Sequence, residues 1–144
     1  LGNLVFNESS KAQGHIATSE IDWYAITLTG PGGLRVTTAK TFAIGADRHP
    51  DTELGVYNSN GFLLGNNDDI AFPANPYSLV SLSNLPAGTY YIAVGGFNTA
   101  FGVAGFGVTS TATTSGQYWL NVAPEPASLA LLGLGALAVV RRRR

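Results

Sequence analysis

The chain has 144 residues, of which 12% are charged, and its formal net charge is −1 at pH 7. It contains no cysteine, which excludes disulfides and thiolate chemistry. Its basic residues are not clustered before residue 141, so nucleic acid is not expected as a partner. Abundant Gly, Thr, Asn and Val are typical of a β protein with many turns. The length before residue 123 suffices for one domain with a hydrophobic core.

Short stretches of alternating apolar and polar residues predict β-strands along this body. We interpret residues 22–28 and 34–38 as a hairpin around Gly30-Pro31-Gly32-Gly33, and Asn58-Ser59-Asn60-Gly61 as the tight turn of a later hairpin. No helix is predicted before the tail, so this spacing indicates an all-β fold, an antiparallel β-sandwich of jelly-roll-like form. The predicted strands cover residues 5–6, 15–17, 22–28, 34–38, 40–44, 54–57, 62–65, 78–82, 89–94, 103–108 and 118–122.

Oxygen-bearing side chains flank the hairpin of strands 54–57 and 62–65. They are Asp51 and Glu53 before the first strand, and Asn67, Asp68 and Asp69 after the second. Antiparallel pairing brings these ends together, and carboxylates with amide oxygens are ligands that Ca²⁺ accepts. The sequence therefore predicts a Ca²⁺ site here, the single cofactor that we expect. The alternative is a solvated acidic loop stabilised by Asx turns.

Catalytic motifs are missing from the sequence. His15 and His49 are the only histidines, and no serine lies in a nucleophile-elbow motif. No glycine-rich phosphate loop is present either. We therefore do not expect an enzyme.

Three aromatic residues are predicted to lie on strand faces opposite to the core: Trp23, Tyr91 and Trp119. Aromatic patches of this kind can hold sugars or proteins. The alternative is that the second sheet of the sandwich buries them. We favour burial for Trp23 and leave both possibilities open for Trp119.

The C-terminal tail has three parts in a fixed order. The motif Pro124-Glu125-Pro126 is followed by the apolar run 127–140 and by four arginines, Arg141, Arg142, Arg143 and Arg144. A helix of fourteen residues rises about 21 Å, less than the ~30 Å bilayer core, but arginine side chains reach the headgroups and stay on the cytoplasmic side. We therefore expect a short helix that enters the membrane transiently and leaves the body outside. Its membrane-facing residues are Ala127, Leu129, Leu131, Leu132, Leu134, Leu137, Val139 and Val140.

This tail resembles the PEP-CTERM sorting signal of exported bacterial proteins. The resemblance implies recognition by a membrane-embedded exosortase and cleavage near Pro124-Glu125-Pro126. It further implies release into, or attachment to, extracellular matrix material. The alternatives are a C-terminal core helix and an unprocessed tail anchor.

The body resembles the bacterial pre-peptidase C-terminal domain, a noncatalytic β-sandwich of secreted proteins, some members of which bind calcium or extracellular polymers. The chain departs from the family pattern at Asn58, where an Asp is common, and in an aromatic, Gly-rich insertion at 97–106. The resemblance is carried by Asp22-Trp23-Tyr24, Asp51-Thr52-Glu53-Leu54, Tyr57, Gly61, Asn67-Asp68-Asp69, Leu85-Pro86-Ala87-Gly88-Thr89-Tyr90-Tyr91-Ile92 and Gly116-Gln117-Tyr118-Trp119-Leu120.

The predicted organisation is a lead-in at 1–14, a sandwich at 15–122 and the sorting signal at 123–144. Since residues 1–14 do not read as a signal peptide, we expect an export leader to have been removed or to lie upstream. Two functions remain open. The first is a passive component of the cell surface or of an extracellular biofilm matrix. The second is an ancillary module of a secreted hydrolase that binds polysaccharide or protein.

Overall fold

A computed structural model describes residues 2–3, 9–40, 50–71 and 74–126. Among these residues there is no helix with the length and apolar character needed to cross a membrane. The secondary structure of this part of the chain consists of β-strands. They are β1 (Gly2–Asn3), β2 (Ser10–Ile16), β3 (Ile21–Leu28), β4 (Gly32–Lys40), β5 (Thr52–Asn58), β6 (Leu63–Asn67), β7 (Leu79–Leu85), β8 (Gly88–Gly96), β9 (Thr99–Phe101), β10 (Val108–Ser110) and β11 (Gly116–Pro126).

Two sheets pack face to face. The five-stranded sheet has the order β1-β3-β8-β5-β6, and the four-stranded sheet has the order β2-β11-β4-β7. Strands β9 and β10 form a separate hairpin. All pairings are antiparallel except that of the short β1 with β3. The predicted all-β antiparallel sandwich is confirmed.

The core lies between the sheets. Along the strands every second residue points inward and is buried. Ile26, Ile92 and Val56 of the five-stranded sheet and Val36 and Leu120 of the four-stranded sheet have no exposed surface. Complete burial of such a side chain stabilises the fold by about 1.5–3 kcal/mol. The period-two alternation in the sequence therefore places these residues on the inner faces.

The predicted hairpin of residues 22–28 and 34–38 is wrong. Strand β3 pairs with β8, whereas β4 pairs with β11 and β7, so the two strands lie in different sheets. The loop Thr29–Pro31 crosses from one sheet to the other. Alternation indicates which face of a strand is buried and carries no information on its pairing partner.

The predicted strand at 103–108 is also wrong. Residues 102–107 form the turn between β9 and β10, and Val103 at this turn is 79% exposed. Gly105 and Phe106 have φ values of 70° and 54°, which a β-strand does not accommodate. Gly102, Gly105 and Gly107 belong to this turn and not to a strand.

The predicted turn at Asn58-Ser59-Asn60-Gly61 is confirmed. The Asn58 N–H donates to Phe62 O over 3.0 Å, and Asn58 Oδ1 accepts the N–H groups of Asn60 and Phe62 at 3.0 Å each. Gly61 has a φ of 78°, the left-handed conformation that glycine adopts without steric cost. Of the other predicted short strands, 15–17 overlaps β2, whereas 5–6 and 41–44 lie outside the described residues.

Candidate metal centre and sorting segment

The ends of β5 and β6 bring three carboxylates together. Asp51 directly precedes β5, and Asp68 and Asp69 follow β6, which pairs with β5 from Leu54 opposite Asn67. One oxygen from each of the three carboxylates lies within 4.8 Å of the other two. Asp51 reaches this position with a φ of 47°. The geometry offers a small set of hard oxygen ligands.

A buried hydroxyl network fixes the backbone beside these carboxylates. The Ser78 hydroxyl, which is fully buried, lies 2.7 Å from the Asp68 carbonyl oxygen and also donates to the Thr52 carbonyl oxygen. The Ser78 N–H donates to Thr38 Oγ1 over 2.8 Å, and Thr38 Oγ1 lies 2.5 Å from Thr52 Oγ1. Strands β4 and β5 and the residue before β7 are therefore joined next to the acidic cluster.

The three carboxylates repel one another at the edge of the sandwich. Burial is the larger cause, and repulsion from Asp69 and Asp68 the smaller, of a pKa of Asp51 that is raised above its ordinary value. Burial, followed by repulsion from Asp69, raises the pKa of Asp68. Within the described part of the chain, the buried Oδ1 of Asp69 has no hydrogen-bond partner. A bound cation would relieve the repulsion among the three carboxylates.

Glu53 and Asn67, the other two predicted ligands, contact different groups. Glu53 is 8% exposed, and its carboxylate accepts the N–H groups of Asn98 at 2.8 Å and Thr99 at 3.1 Å. Asn67 Oδ1 accepts the N–H of Leu79 at 2.9 Å. Glu53 thus holds the turn between β8 and β9, and Asn67 holds the start of β7. Of the predicted set, Asp51, Asp68 and Asp69 have carboxylate oxygens within 4.8 Å of one another.

A second polar cluster, which the sequence analysis missed, joins the two sheets. The Tyr118 hydroxyl donates to Asp22 Oδ2 over 2.7 Å and lies 2.7 Å from the Tyr24 hydroxyl. Burial raises the pKa of all three groups. The ring of Tyr118 occupies the space above Gly14, where a Cβ would lie 2.3 Å from it. The sequence did contain one indication of this cluster, because Asp22 is a charged residue in the otherwise mostly apolar predicted strand 22–28.

Aromatic side chains cover the outer face of the five-stranded sheet. The Phe106 ring lies 6.0 Å from that of Trp23, 5.8 Å from that of Tyr57 and 5.2 Å from that of Tyr91. Thus the β9–β10 hairpin, and not the second sheet, packs against the half-buried Trp23. Trp119 is also half-buried. Among the described residues, Phe62 and Val103 beside this cluster are 53% and 79% exposed.

The sorting motif lies within the last strand of the sandwich. In β11, Pro124 is opposite Leu34 of β4 and Glu125 is opposite Gly33. The pairing of β11 with β2 ends at Val122, so the predicted boundary between residues 122 and 123 falls inside a strand. Strand β2 likewise begins within the predicted lead-in. The remaining tail predictions, which are the helix over 127–140 and the arginines Arg141 to Arg144, lie outside the described residues.

Several solved structures have a similar fold, among them the following two. One is the pre-peptidase C-terminal domain of collagenase from Bacillus anthracis, with a TM-score of 0.54 and 11% identity over 84% of this chain and 94% of that domain. The other is PliG from Aeromonas hydrophila, a periplasmic inhibitor of g-type lysozyme, with a TM-score of 0.51 and 12% identity over 85% and 96% of the two chains. At these identities the likeness establishes the fold alone.

Family models match both parts of the chain. The bacterial pre-peptidase C-terminal domain matches residues 20–96, just over half of the chain, and the PEP-CTERM protein-sorting motif matches residues 122–144. No curated protein matches at significant sequence similarity. The sorting motif implies an exported protein that is sorted to the cell surface and processed by an exosortase. The chain therefore belongs to the bacterial pre-peptidase C-terminal domain family and ends in a PEP-CTERM sorting motif.

Proposed function

We propose that this protein is a noncatalytic β-sandwich of the bacterial cell surface or extracellular matrix, delivered there through its C-terminal signal. The observation that carries the proposal is the complete tail, with Pro124-Glu125-Pro126, the apolar run and the four terminal arginines in order directly behind a sandwich. The body works outside the cell as a scaffold.

The tail acts as a transient membrane segment. The apolar run 127–140 forms a short helix, the arginines remain on the cytoplasmic side, and residues 1–126 remain outside. A helix of about 21 Å is a weak permanent anchor in a core of about 30 Å, which suits a segment that is later removed. Cleavage at Pro124-Glu125-Pro126 then frees the sandwich from this helix.

Mass spectrometry of the natural protein from cell and medium fractions tests the sorting function. In a strain with an active exosortase, the mature protein should end near Pro124-Glu125-Pro126 and lack residues 127–144. In a strain without the enzyme, it should retain Arg144 and remain with the membrane. A chain that keeps Arg144 in both strains would refute sorting by cleavage.

We also propose that Asp51, Asp68 and Asp69 bind Ca²⁺. The support is the approach of their oxygens within 4.8 Å, the raised pKa of Asp51 and Asp68, and the unpartnered Asp69 Oδ1. Three carboxylates fall short of the six to eight ligands typical of Ca²⁺, so backbone oxygens and water complete the shell.

Titration calorimetry of the full chain in detergent, after treatment with chelator, should give a heat of Ca²⁺ binding. The absence of both this heat and a rise in melting temperature would reject the site.

The alternative function, an ancillary module that binds polysaccharide, is favoured by one observation. Phe62, Val103 and Phe106 form a partly exposed apolar surface next to Trp23 and Tyr91. Sugar rings stack on surfaces of this kind. Co-sedimentation with insoluble polysaccharide from the host should fall several-fold in Phe106→Ala if this function is correct. Unchanged co-sedimentation would leave the scaffold function as the better account.

A further inference from the structure

The chain leaves the sandwich at one defined end, which we call the exit end. At this end Pro126 of β11 is opposite Gly32 of β4, and Gly32 is in turn opposite Leu85 of β7. Strand β3 reaches the same end, where Leu28 is opposite Gly88 of β8. The loop Thr29–Pro31 and the turn Pro86–Ala87 therefore flank the point of exit.

In the sequence, the apolar run directly follows the last described residue of the sandwich. Strand β11 ends at Pro126, and the apolar run begins at Ala127. If the run enters the bilayer, the exit end has to lie at the lipid surface. Its loops suit this position because Thr29, Gly30, Pro31, Pro86 and Ala87 are exposed and carry no charge.

Charge is distributed unevenly along the sandwich. Near the exit end, Pro126 of β11 is opposite Gly32 of β4. Within three positions of these two residues along their strands, the charged residues among those described are Glu125 in β11 and Arg35 in β4. All other described carboxylates lie at the opposite end, which we call the acidic end, as the pairing of β8 with β3 and β5 shows. They are Glu20, Asp22, Asp51, Glu53, Asp68 and Asp69.

The distance between the two ends matters for electrostatics. Strand β8 has nine residues, which span about 30 Å from the exit end to the acidic end. This is several times the Debye length of about 8 Å at physiological ionic strength. An anionic lipid surface therefore repels the acidic end if it approaches, and has little effect on it when the sandwich stands on its exit end.

We propose that, before cleavage, the sandwich stands on the lipid surface by its exit end, with the loops Thr29–Pro31 and Pro86–Ala87 at the headgroups and the acidic end pointing away. This orientation rests on the proposed entry of the tail into the membrane. It places the three aspartates of the candidate metal centre in the extracellular medium, where Ca²⁺ is available to them.

Single cysteines test this orientation, because the chain has none of its own. Gly30→Cys and Ala87→Cys report on the exit end, and Ser115→Cys, next to the Gly116 that is opposite Ile16, reports on the acidic end. Each full-length variant carries an environment-sensitive fluorophore in vesicles of phosphatidylethanolamine and phosphatidylglycerol with nitroxide-labelled headgroups. The two exit-end labels should be quenched several-fold more than the label at position 115.

Two results would overturn the orientation. Equal quenching at all three positions, with the protein bound to the vesicles, would refute the orientation and leave membrane insertion intact. Failure of the full chain to bind vesicles would refute the proposed membrane insertion and, with it, the orientation. The two failures are therefore distinguishable.

A different observation, the pairing of the sorting motif, supports a second inference. Glu125 lies across Gly33, where an added Cβ would be 3.2 Å from Glu125 Cβ and 2.9 Å from the Leu82 carbonyl oxygen. Residues 123–126 occupy one edge of β4, so their backbone is not free on both sides. A protease that binds its substrate as an extended strand needs this backbone exposed.

The pairing of residues 123–126 is suited to opening. Pro124 and Pro126 have no N–H group, so this segment offers two backbone donors over four residues. Strand ends with few hydrogen bonds open at low free energy without global unfolding. We infer that the Pro-Glu-Pro motif is held in the sheet of the folded protein, and that it has to detach from β4 before processing.

A flexible spacer tests this inference and leaves the motif unchanged. Six Gly and Ser residues inserted between Ala123 and Pro124 move the motif out of the sheet, and the same insertion between the exposed Gly30 and Pro31 serves as the control. In membranes with active exosortase, the first insertion should speed conversion to the processed form several-fold, and the control should not. Hydrogen exchange at the Glu125 amide, the one N–H group of the Pro-Glu-Pro motif, should be slower in the wild type than in the spacer variant.

The outcomes separate this inference from the sorting function. If the wild type is processed and the spacer after Ala123 gives no acceleration, the motif is accessible in the sheet and the inference fails. Equal hydrogen exchange at the Glu125 amide in the wild type and the spacer variant would refute it independently of any enzyme. A wild type that is never processed would refute the sorting function itself.

Discussion

The Tyr118 hydroxyl donates a hydrogen bond to Asp22 Oδ2 over 2.7 Å, and this contact joins the four-stranded sheet to the five-stranded sheet. The Tyr118 side chain is fully buried, and its hydroxyl also meets that of Tyr24 at 2.7 Å. The Asp22 carboxylate is half-buried, so losing this bond would leave a partly desolvated oxygen without a partner. The contact is therefore a structural bridge between the two layers.

Tyr118→Phe should destabilise the domain by about 1–3 kcal/mol, because it removes the donor to the half-buried Asp22 carboxylate and leaves the ring over Gly14 in place. Chemical denaturation measures the change. Tyr91→Phe is the matched control, because its ring contacts Phe106 edge to face and its hydroxyl is not part of the bridge. A loss equal in the two variants would mean that the hydroxyl of Tyr118 contributes nothing specific.

Asp69→Asn should lower the affinity for Ca²⁺ more than tenfold, because it removes one of three charges from the candidate centre.

Glu53→Gln should leave the affinity within about twofold, since Glu53 accepts the N–H groups of Asn98 and Thr99 instead. It should cost about 1–3 kcal/mol of stability, because the amide NH2 that replaces one carboxylate oxygen cannot accept a backbone N–H. Calorimetric titration and denaturation of both variants measure these effects. A large loss of affinity in Glu53→Gln would place Glu53 in the centre.

The stability of the metal-free protein should fall as the pH rises. Burial and mutual repulsion raise the pKa of Asp51 and Asp68 in the folded state, so the folded chain binds protons more tightly than the unfolded chain. The free energy of unfolding should therefore decrease from about pH 3.8, the ordinary value for Asp, up through the raised pKa values, and then become level. Denaturation in chelator across this range measures the slope.

Saturating Ca²⁺ should oppose this pH dependence. The ion binds the deprotonated carboxylates of the folded state, so its stabilising effect is present above the raised pKa values and is lost as the pH falls through them. Asp51→Asn should weaken both the slope in chelator and the effect of Ca²⁺. A slope that is the same in wild type and Asp51→Asn would assign the pH dependence to other groups.

Gly55→Ala should displace the β9–β10 hairpin from the outer face of the five-stranded sheet. A Cβ at position 55 would lie 2.4 Å from the Phe101 ring, so this ring has to move. The change should destabilise the protein by about 1–3 kcal/mol and expose Trp23, which intrinsic fluorescence detects as a red shift. Gly30→Ala is the control, because nothing lies within 4 Å of its Cβ position. An unshifted spectrum in Gly55→Ala would mean that the hairpin does not protect Trp23.

The candidate centre was partly predictable. The carboxylates Asp51, Asp68 and Asp69 flank two strands joined by a recognisable turn, and antiparallel pairing then brings them together. The orientation of Glu53 was not predictable, because its partners Asn98 and Thr99 lie more than forty residues away. A side chain at a strand end turns toward whichever backbone donors the fold supplies, and those donors come from distant sequence.

By itself the sequence determined the all-β fold, the turn at 58–61 and the sorting tail, because each depends on local composition, on alternation along a strand or on a contiguous motif. Only the tertiary structure decided that β3 and β4 lie in different sheets and that the β9–β10 hairpin covers Trp23. It also decided that Glu125 of the sorting motif pairs with Gly33. The physical reason is that alternation specifies which face of a strand is buried, whereas the pairing partner follows from packing between residues far apart in the chain.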